Sequence, residues 1–274
     1  MATVIALAAL KGGVGRTTLA ANLASALVHG GRKAIAVDLD PQNGLGAHFG
    51  RGPAPDHGIG DLHAEILPGP ARGADRRDGA RGEAFCMPFG APSPDELAAL
   101  EAKLLADPSW LRRRVDAATP AGCEIVVLDT PGHNCVWLDR ALEMADLVLG
   151  VVAADPACYA TLPAFEALLI RTRRGQTPAR YVVNQFDGAS PVRRDVLVSL
   201  REIFAARVAP MVIHSDESLK DALGRQQTLF RDATAAQALA DIGDLGDWVL
   251  AQAGVALTSA AQHAPPRRAA GHRS

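Results

Sequence analysis

The four cysteines of this 274-residue sequence, Cys86, Cys123, Cys135 and Cys158, form no CxxC pair and follow no metal-ligand spacing. A chain of this length needs no disulfide staples to bury a core, so reduced and mostly buried thiols are expected. Surplus charge of either sign is lacking as well. The formal net charge is −2 and the pI about 6.4, so no global basic field draws the chain onto nucleic acid or an acidic membrane, although a local patch could. No positive residue precedes the first apolar run, which ends in Lys11 and a glycine turn instead of a cleavage site, so no secretory signal is read there. The other apolar stretch, Ala141 to Ala154, is interrupted by Glu143 and Asp146 and falls short of the roughly 20 residues a bilayer requires. Internal repeats are absent too. Together these absences predict a cytoplasmic protein without direct membrane insertion.

What the chain does have is a regular alternation of short apolar runs and helical patterns. Thr3 to Leu10 is rich in Val, Ile and Leu without period-two alternation, which suits a central parallel strand buried on both faces. After the turn Lys11-Gly12-Gly13-Val14-Gly15-Arg16-Thr17-Thr18, the residues Leu19, Leu23, Ala26 and Leu27 recur at helical spacing until Gly30-Gly31. Lys33 to Asp38 is the next strand. Further strands are expected at Ala84 to Pro88, Cys123 to Leu128, Leu147 to Ala153, Tyr181 to Asn184 and Met211 to Ile213. Helices are expected at Pro94 to Ala118 with a break at Pro108, from Val136, near Ala160 to Arg171, at Val192 to Ala206, at Ser218 to Leu223 and at Ala233 to Ala253. The alternation predicts an α/β fold: a single doubly wound, mostly parallel sheet flanked by helices, with ligand sites beyond the carboxyl ends of the strands. Residues 1–253 form one nucleotide-binding domain in this reading. A proline-punctuated surface excursion covers about 50–82, with a short helix near Asp61 to Ile66 and a basic cluster from Arg72 to Arg81 that reads as a solvated loop or a partner site. Residues 254–274, with Pro265-Pro266, Arg267-Arg268 and no acidic residue, read as a disordered basic tail.

The glycine turn between strand and helix is a candidate polyphosphate cradle. Glycines without Cβ allow close backbone approach, the following helix offers unpaired amides, and the Thr17 hydroxyl is placed for Mg²⁺. Against the pattern GxxxxGK[S/T], Leu10 stands where Gly is expected and Arg16 where Lys is expected. Asp40, in Asp38-Leu39-Asp40-Pro41-Gln42 after the second strand, is a candidate to orient an attacking or metal-bound water, with turn capping as the bland alternative. Asp129, ending a buried strand in Asp129-Thr130-Pro131-Gly132, is a candidate for the magnesium shell, and Gly132 for backbone approach to a γ-phosphate. Asn184 offers the donor and acceptor pair that reads an adenine edge.

Taken together, KGGVGRTT, DLDPQ, DTPG and an Asn at the end of a late strand resemble the deviant-Walker ATPases of the ParA/MinD group, from about Ala2 to Ala253. The resemblance implies ATP and Mg²⁺ as cofactors and a nucleotide-sandwich homodimer. Lys11 would reach across to the partner's phosphates and Asp40 would position the hydrolytic water. Lys11, Gly12, Gly13, Val14, Gly15, Arg16, Thr17 and Thr18 would bind phosphate or metal, with Asp40 and Asp129 on the metal through water. Asn184 and the loop His214, Ser215 and Asp216 would hold adenine. Arg16 departs from the usual lysine; its planar fork keeps the charge but contacts phosphate oxygens differently, so ATPase turnover is expected to be slow.

Within the group, the non-lysine in the phosphate loop, Met87-Pro88-Phe89-Gly90 and Pro210 to Glu217 are most similar to the BcsQ (YhjQ) family associated with bacterial cellulose synthesis. That resemblance implies an assembly or localisation factor, peripheral to the inner membrane through partners: the small subunit BcsR, BcsE and the cellulose synthase. A competing reading is a partition-type ATPase that binds DNA non-specifically, supported by Arg171, Arg173, Arg174, Arg180, Arg193, Arg194 and Arg201 around two late helices. A MinD-like membrane ATPase ranks last, because residues 254–274 have no apolar face.

Overall fold

A computed structural model describes residues 1–50, 58–59, 84–173, 178–232 and 236–255. The expected helix near Asp61, the Arg72 to Arg81 cluster, Arg174 and nearly all of the C-terminal tail lie outside the described residues. The strands are β1 (Thr3–Ala8), β2 (Ala34–Asp38), β3 (Phe85–Met87), β4 (Ile125–Asp129), β5 (Leu147–Ala153), β6 (Ala179–Phe186) and β7 (Val208–His214). They form one sheet in the order β3-β2-β4-β1-β5-β6-β7, and every pairing is parallel. The sheet is thus doubly wound, as the alternation predicts.

The helices are α1 (Arg16–His29), α2 (Pro94–Ala106), α3 (Trp110–Ala118), α4 (Val136–Met144), α5 (Pro156–Tyr159), α6 (Leu162–Arg173), α7 (Pro191–Phe204), α8 (Glu217–Gly224), α9 (Leu229–Asp232) and α10 (Gln237–Gln252). The break predicted at Pro108 separates α2 from α3. α2 starts on a capping box, with Ser93 Oγ accepting from the Glu96 N–H and the Glu96 carboxylate accepting from the Ser93 N–H. The helix expected at Ala233 to Ala253 is α10, which starts at Gln237, and the short α9 just before that segment was not expected. β6 and β7 are both longer than predicted, and Asn184 lies within β6 instead of closing it.

Strands β1, β2, β4 and β5 are buried almost throughout, and their Val, Ile, Leu and Ala side chains form the core with Leu19, Leu23 and Leu27 of α1. This is why their sequences run apolar instead of alternating. Strand order reverses around β1, which has β4 on one side and β5 on the other. The crevice beyond the carboxyl end of β1 therefore collects the glycine turn, and parallel register places Asp38 and Asp129 side by side across β2 and β4. On the far side, Ala153 is in register with Asn184, and Phe186 with His214. α10 packs on α1 and β7: a Cβ on its Gly246 would lie 3.8–3.9 Å from Leu27, Ala26 and Leu23, so the two helices meet at a glycine. Among the described residues, no helix is long and apolar enough to cross a membrane.

Candidate functional site

The turn after β1 is shaped by two left-handed glycines, Gly13 at φ 77° and Gly15 at φ 78°. Only glycine adopts this region without cost, so the loop's curvature is written in these two positions. Gly15 is also the N-cap of α1 and has no side chain to satisfy the helix's first amides. A Cβ on Gly12 or Gly13 would meet nothing within 4 Å, so the outer face of the loop is open. An anion seated there would take the place of the missing cap.

The inner face is held from β6. Asn184 Nδ2 donates to the Val14 carbonyl at 2.8 Å and Gln185 Nε2 donates to the Gly13 carbonyl at 3.1 Å. Asn184 is 5% exposed, and a Cβ on Gly15 would stand 2.5 Å from its Nδ2. The sequence reading has this amide facing a base with both its donor and its acceptor. In the structure one N–H of this amide is committed to the loop backbone, because Asn184 sits two residues short of the strand end and beneath the turn. Gln185 was not singled out from sequence; its φ of 55° marks the bend that turns its amide toward Gly13.

Arg16 points the other way, into the carboxylates. Its side chain is 9% exposed; Nε donates to Asp129 Oδ1 at 3.1 Å and Nη2 donates to Asp40 Oδ2 at 3.3 Å. A Cβ on Gly132 would come within 3.0 Å of Arg16 Nη1, so the Asp129-Thr130-Pro131-Gly132 loop closes against the guanidinium. Burial raises the Asp129 pKa to about 6, against the opposing pull of Arg16 and a contribution from the neighbouring Thr17 hydroxyl. Asp129 Oδ2 is buried and meets no donor at hydrogen-bonding geometry. Asp38, wholly buried, accepts the Asp40 and Leu45 N–H groups, and burial together with the Asp129 charge raises its pKa well above the usual carboxylate range. Asp38 therefore shapes the turn that presents Asp40. Thr18 contributes its carbonyl to the Asn22 amide, and Asn22 Oδ1 accepts the Leu229 N–H.

Lys11 Nζ lies 3.1 Å from both carboxylate oxygens of Asp155, the N-cap of α5 after β5. Burial raises the Asp155 pKa, but the Cys158 N–H and Lys11 outweigh it and the net shift is downward. Asp155 escaped the sequence reading because its partner is far away along the chain. The expected base loop follows β7. The His214 N–H and Nδ1 both lie within 2.9 Å of Asp241 Oδ2 on α10, the Ser215 N–H donates to the Phe186 carbonyl, and Asp216 caps α8 while accepting the Ala238 N–H. Asp241, also missed, ties this loop to the last described helix. The loop joins the glycine turn through the end of β6.

Residues 1–250 match the family model described as cellulose biosynthesis protein BcsQ. The chain is 30% identical over 234 residues to the chromosome-partitioning ATPase Soj of Thermus thermophilus, covering 84% of this chain and 88% of Soj. It is 27% identical over 267 residues to cellulose biosynthesis protein BcsQ of Escherichia coli, covering 90% and 94%. Its fold is similar to the septum site-determining protein MinD of Pyrococcus horikoshii, solved with Mg-ADP, with a TM-score of 0.66, 20% identity and coverage of 91% and 96%. The match over residues 1–250 and the similarity across most of the chain give one reading: it belongs to the BcsQ family of ParA/MinD-like ATPases.

Proposed function

We propose that the chain binds ATP with Mg²⁺ on the Lys11 to Thr18 loop, forms an ATP-dependent homodimer, and acts as an assembly, regulatory or localisation factor for bacterial cellulose synthase. The observation that carries the cellulose assignment is the family match across residues 1–250. The open, uncapped loop and the orphaned Asp129 Oδ2 fit a polyphosphate with a hydrated cation. In this reading the backbone from Gly12 to Thr18 holds the phosphates, and Thr17, with Asp40 and Asp129 through water, holds the ion. The ion supplies charge neutralisation for the phosphates when bound. Asp40 orients water, Lys11 leaves Asp155 to reach a second subunit, and the His214 to Asp216 loop contacts the base. Arg16 in place of lysine makes turnover slow.

Expected partners are a small BcsR-type subunit, BcsE and the synthase at the inner membrane. Purification of the ATP-loaded protein from its source cells tests this directly: recovery of cellulose-synthesis components supports it, and recovery of segregation components with none of them sinks it. The similarity to Soj favours a second reading, DNA binding by a partition-type dimer. Several arginines that would serve it are already engaged within the chain: Arg171 with Asp139, Arg180 with Gln252, and Arg201 with the Pro210 carbonyl. ATP-dependent, salt-sensitive retention on DNA would promote this reading above the first.

A further inference from the structure

We propose that Arg16 builds into the chain the positive charge that a divalent cation brings to such a site, so that this protein holds a nucleoside triphosphate with little dependence on Mg²⁺. The inference rests on the nucleotide reading above and concerns how that nucleotide is held. Its basis is the arrangement of one guanidinium between two carboxylates. Nε is spent on Asp129 at 3.1 Å and Nη2 on Asp40 at 3.3 Å, so both acids expected around a metal already share a cation of the chain itself, which offsets one of their two charges. The third nitrogen, Nη1, donates to no acceptor among the described residues and lies beside Gly132, where a side chain would have covered it. A planar fork can hold two acids with two nitrogens and offer the third to a phosphate oxygen, which an ammonium group cannot do in one geometry.

Burial of Arg16 keeps water from screening its charge. A dication drawn to the remaining Asp129 oxygen would face this fixed charge across a single carboxyl group, since Oδ1 of that carboxyl is already on Nε. An ion held through water on Asp40 and Asp129 therefore binds more weakly than it would beside two carboxylates free of Arg16. The phosphates meet a positive charge with or without it.

The test is the affinity of the full chain for a fluorescent ATP analogue, measured with millimolar Mg²⁺ and with EDTA, for the wild type and for Arg16→Lys. The expected result is a change of less than about threefold on metal removal in the wild type and a loss of about tenfold or more in Arg16→Lys, whose narrower charge needs the metal's help. A wild-type loss of about tenfold or more overturns the inference, and does so even where the lysine variant fails to fold. Absence of binding by the wild type under both conditions removes the nucleotide reading itself, and this inference with it.

Discussion

Substituting Gly15→Ala perturbs the loop in two separable ways. Alanine at φ 78° costs about 1–2 kcal/mol, because Cβ crowds the backbone in the left-handed region. The new Cβ would also stand 2.5 Å from Asn184 Nδ2, closer than packing permits, so the amide must swing away. The Val14 carbonyl then loses its donor, which costs about 1–3 kcal/mol more for a buried group. The single variant should therefore lose about 2–5 kcal/mol. In an Asn184→Ala background nothing obstructs the methyl and the hydrogen bond is already gone, so the same substitution should cost only its backbone share, about 1–2 kcal/mol. A double-mutant cycle by urea denaturation thus predicts a coupling of about 1–3 kcal/mol between residues 15 and 184. Strictly additive losses would show that Asn184 does not brace the loop.

His48 sits in the 3₁₀ turn Leu45–Phe49, is 3% exposed, and burial lowers its pKa from 6.5 to about 4. A depressed base is neutral in the folded state, so its contribution is intact above pH 6.5 and is lost as the pH falls towards 4. Urea midpoints should show a loss of about 2 kcal/mol between about pH 7 and about pH 5, flattened in His48→Gln; an equal loss in that variant would contradict the assignment. Asp155→Asn keeps an N-cap acceptor but removes the Lys11 ion pair, which is about one-third exposed, so the expected cost is below about 1 kcal/mol and shrinks in salt. Asp155→Ala should lose about 1 kcal/mol beyond that through the cap, and equal stabilities of the two variants would argue that the cap contributes nothing. Gly150→Ala in β5 would bring a methyl 2.7 Å from the Tyr181 ring and 3.0 Å from Phe165. The Tyr181 hydroxyl bonds to Glu166 and its ring packs under Arg207, so the ring has nowhere to yield. Overpacking should cost about 2–3 kcal/mol, and a melting temperature equal to that of the wild type would refute this.

The sheet and the glycine turn were legible because their signals are local. An unbroken apolar run marks a strand buried on both faces, and two glycines mark left-handed turns whatever surrounds them. Asp40 and Asp129 stand out in the sequence for a related reason: Asp129 ends a recognisable strand and Asp40 follows one by two residues. Side-chain partnerships were not legible. Arg16 reads as a phosphate ligand from its motif position, but its two carboxylates come from the end of β4 and the turn after β2, and only the parallel register brings them together. Lys11 and Asp155 are separated by 144 positions and His214 and Asp241 by 27, with nothing in either local pattern to pair them. Asn184 was recognised as a residue of interest while its engagement with Val14 was not. A donor and acceptor read from composition do not reveal which of the two the neighbouring backbone will claim.

Helix α10 has a consequence for synthesis on the ribosome. Its Gly246 closes over Leu23, Ala26 and Leu27, which belong to the first helix made, and its Asp241 fixes His214 at the end of the last strand. The face of α1 that α10 covers therefore emerges long before its cover is translated. Until residue 252 clears the exit tunnel, the nascent chain carries the whole glycine motif beside an uncovered apolar stripe, the surface a chaperone recognises. A message cut short before α10 yields a product with every motif of the phosphate loop and neither a closed core nor an anchored His214 loop.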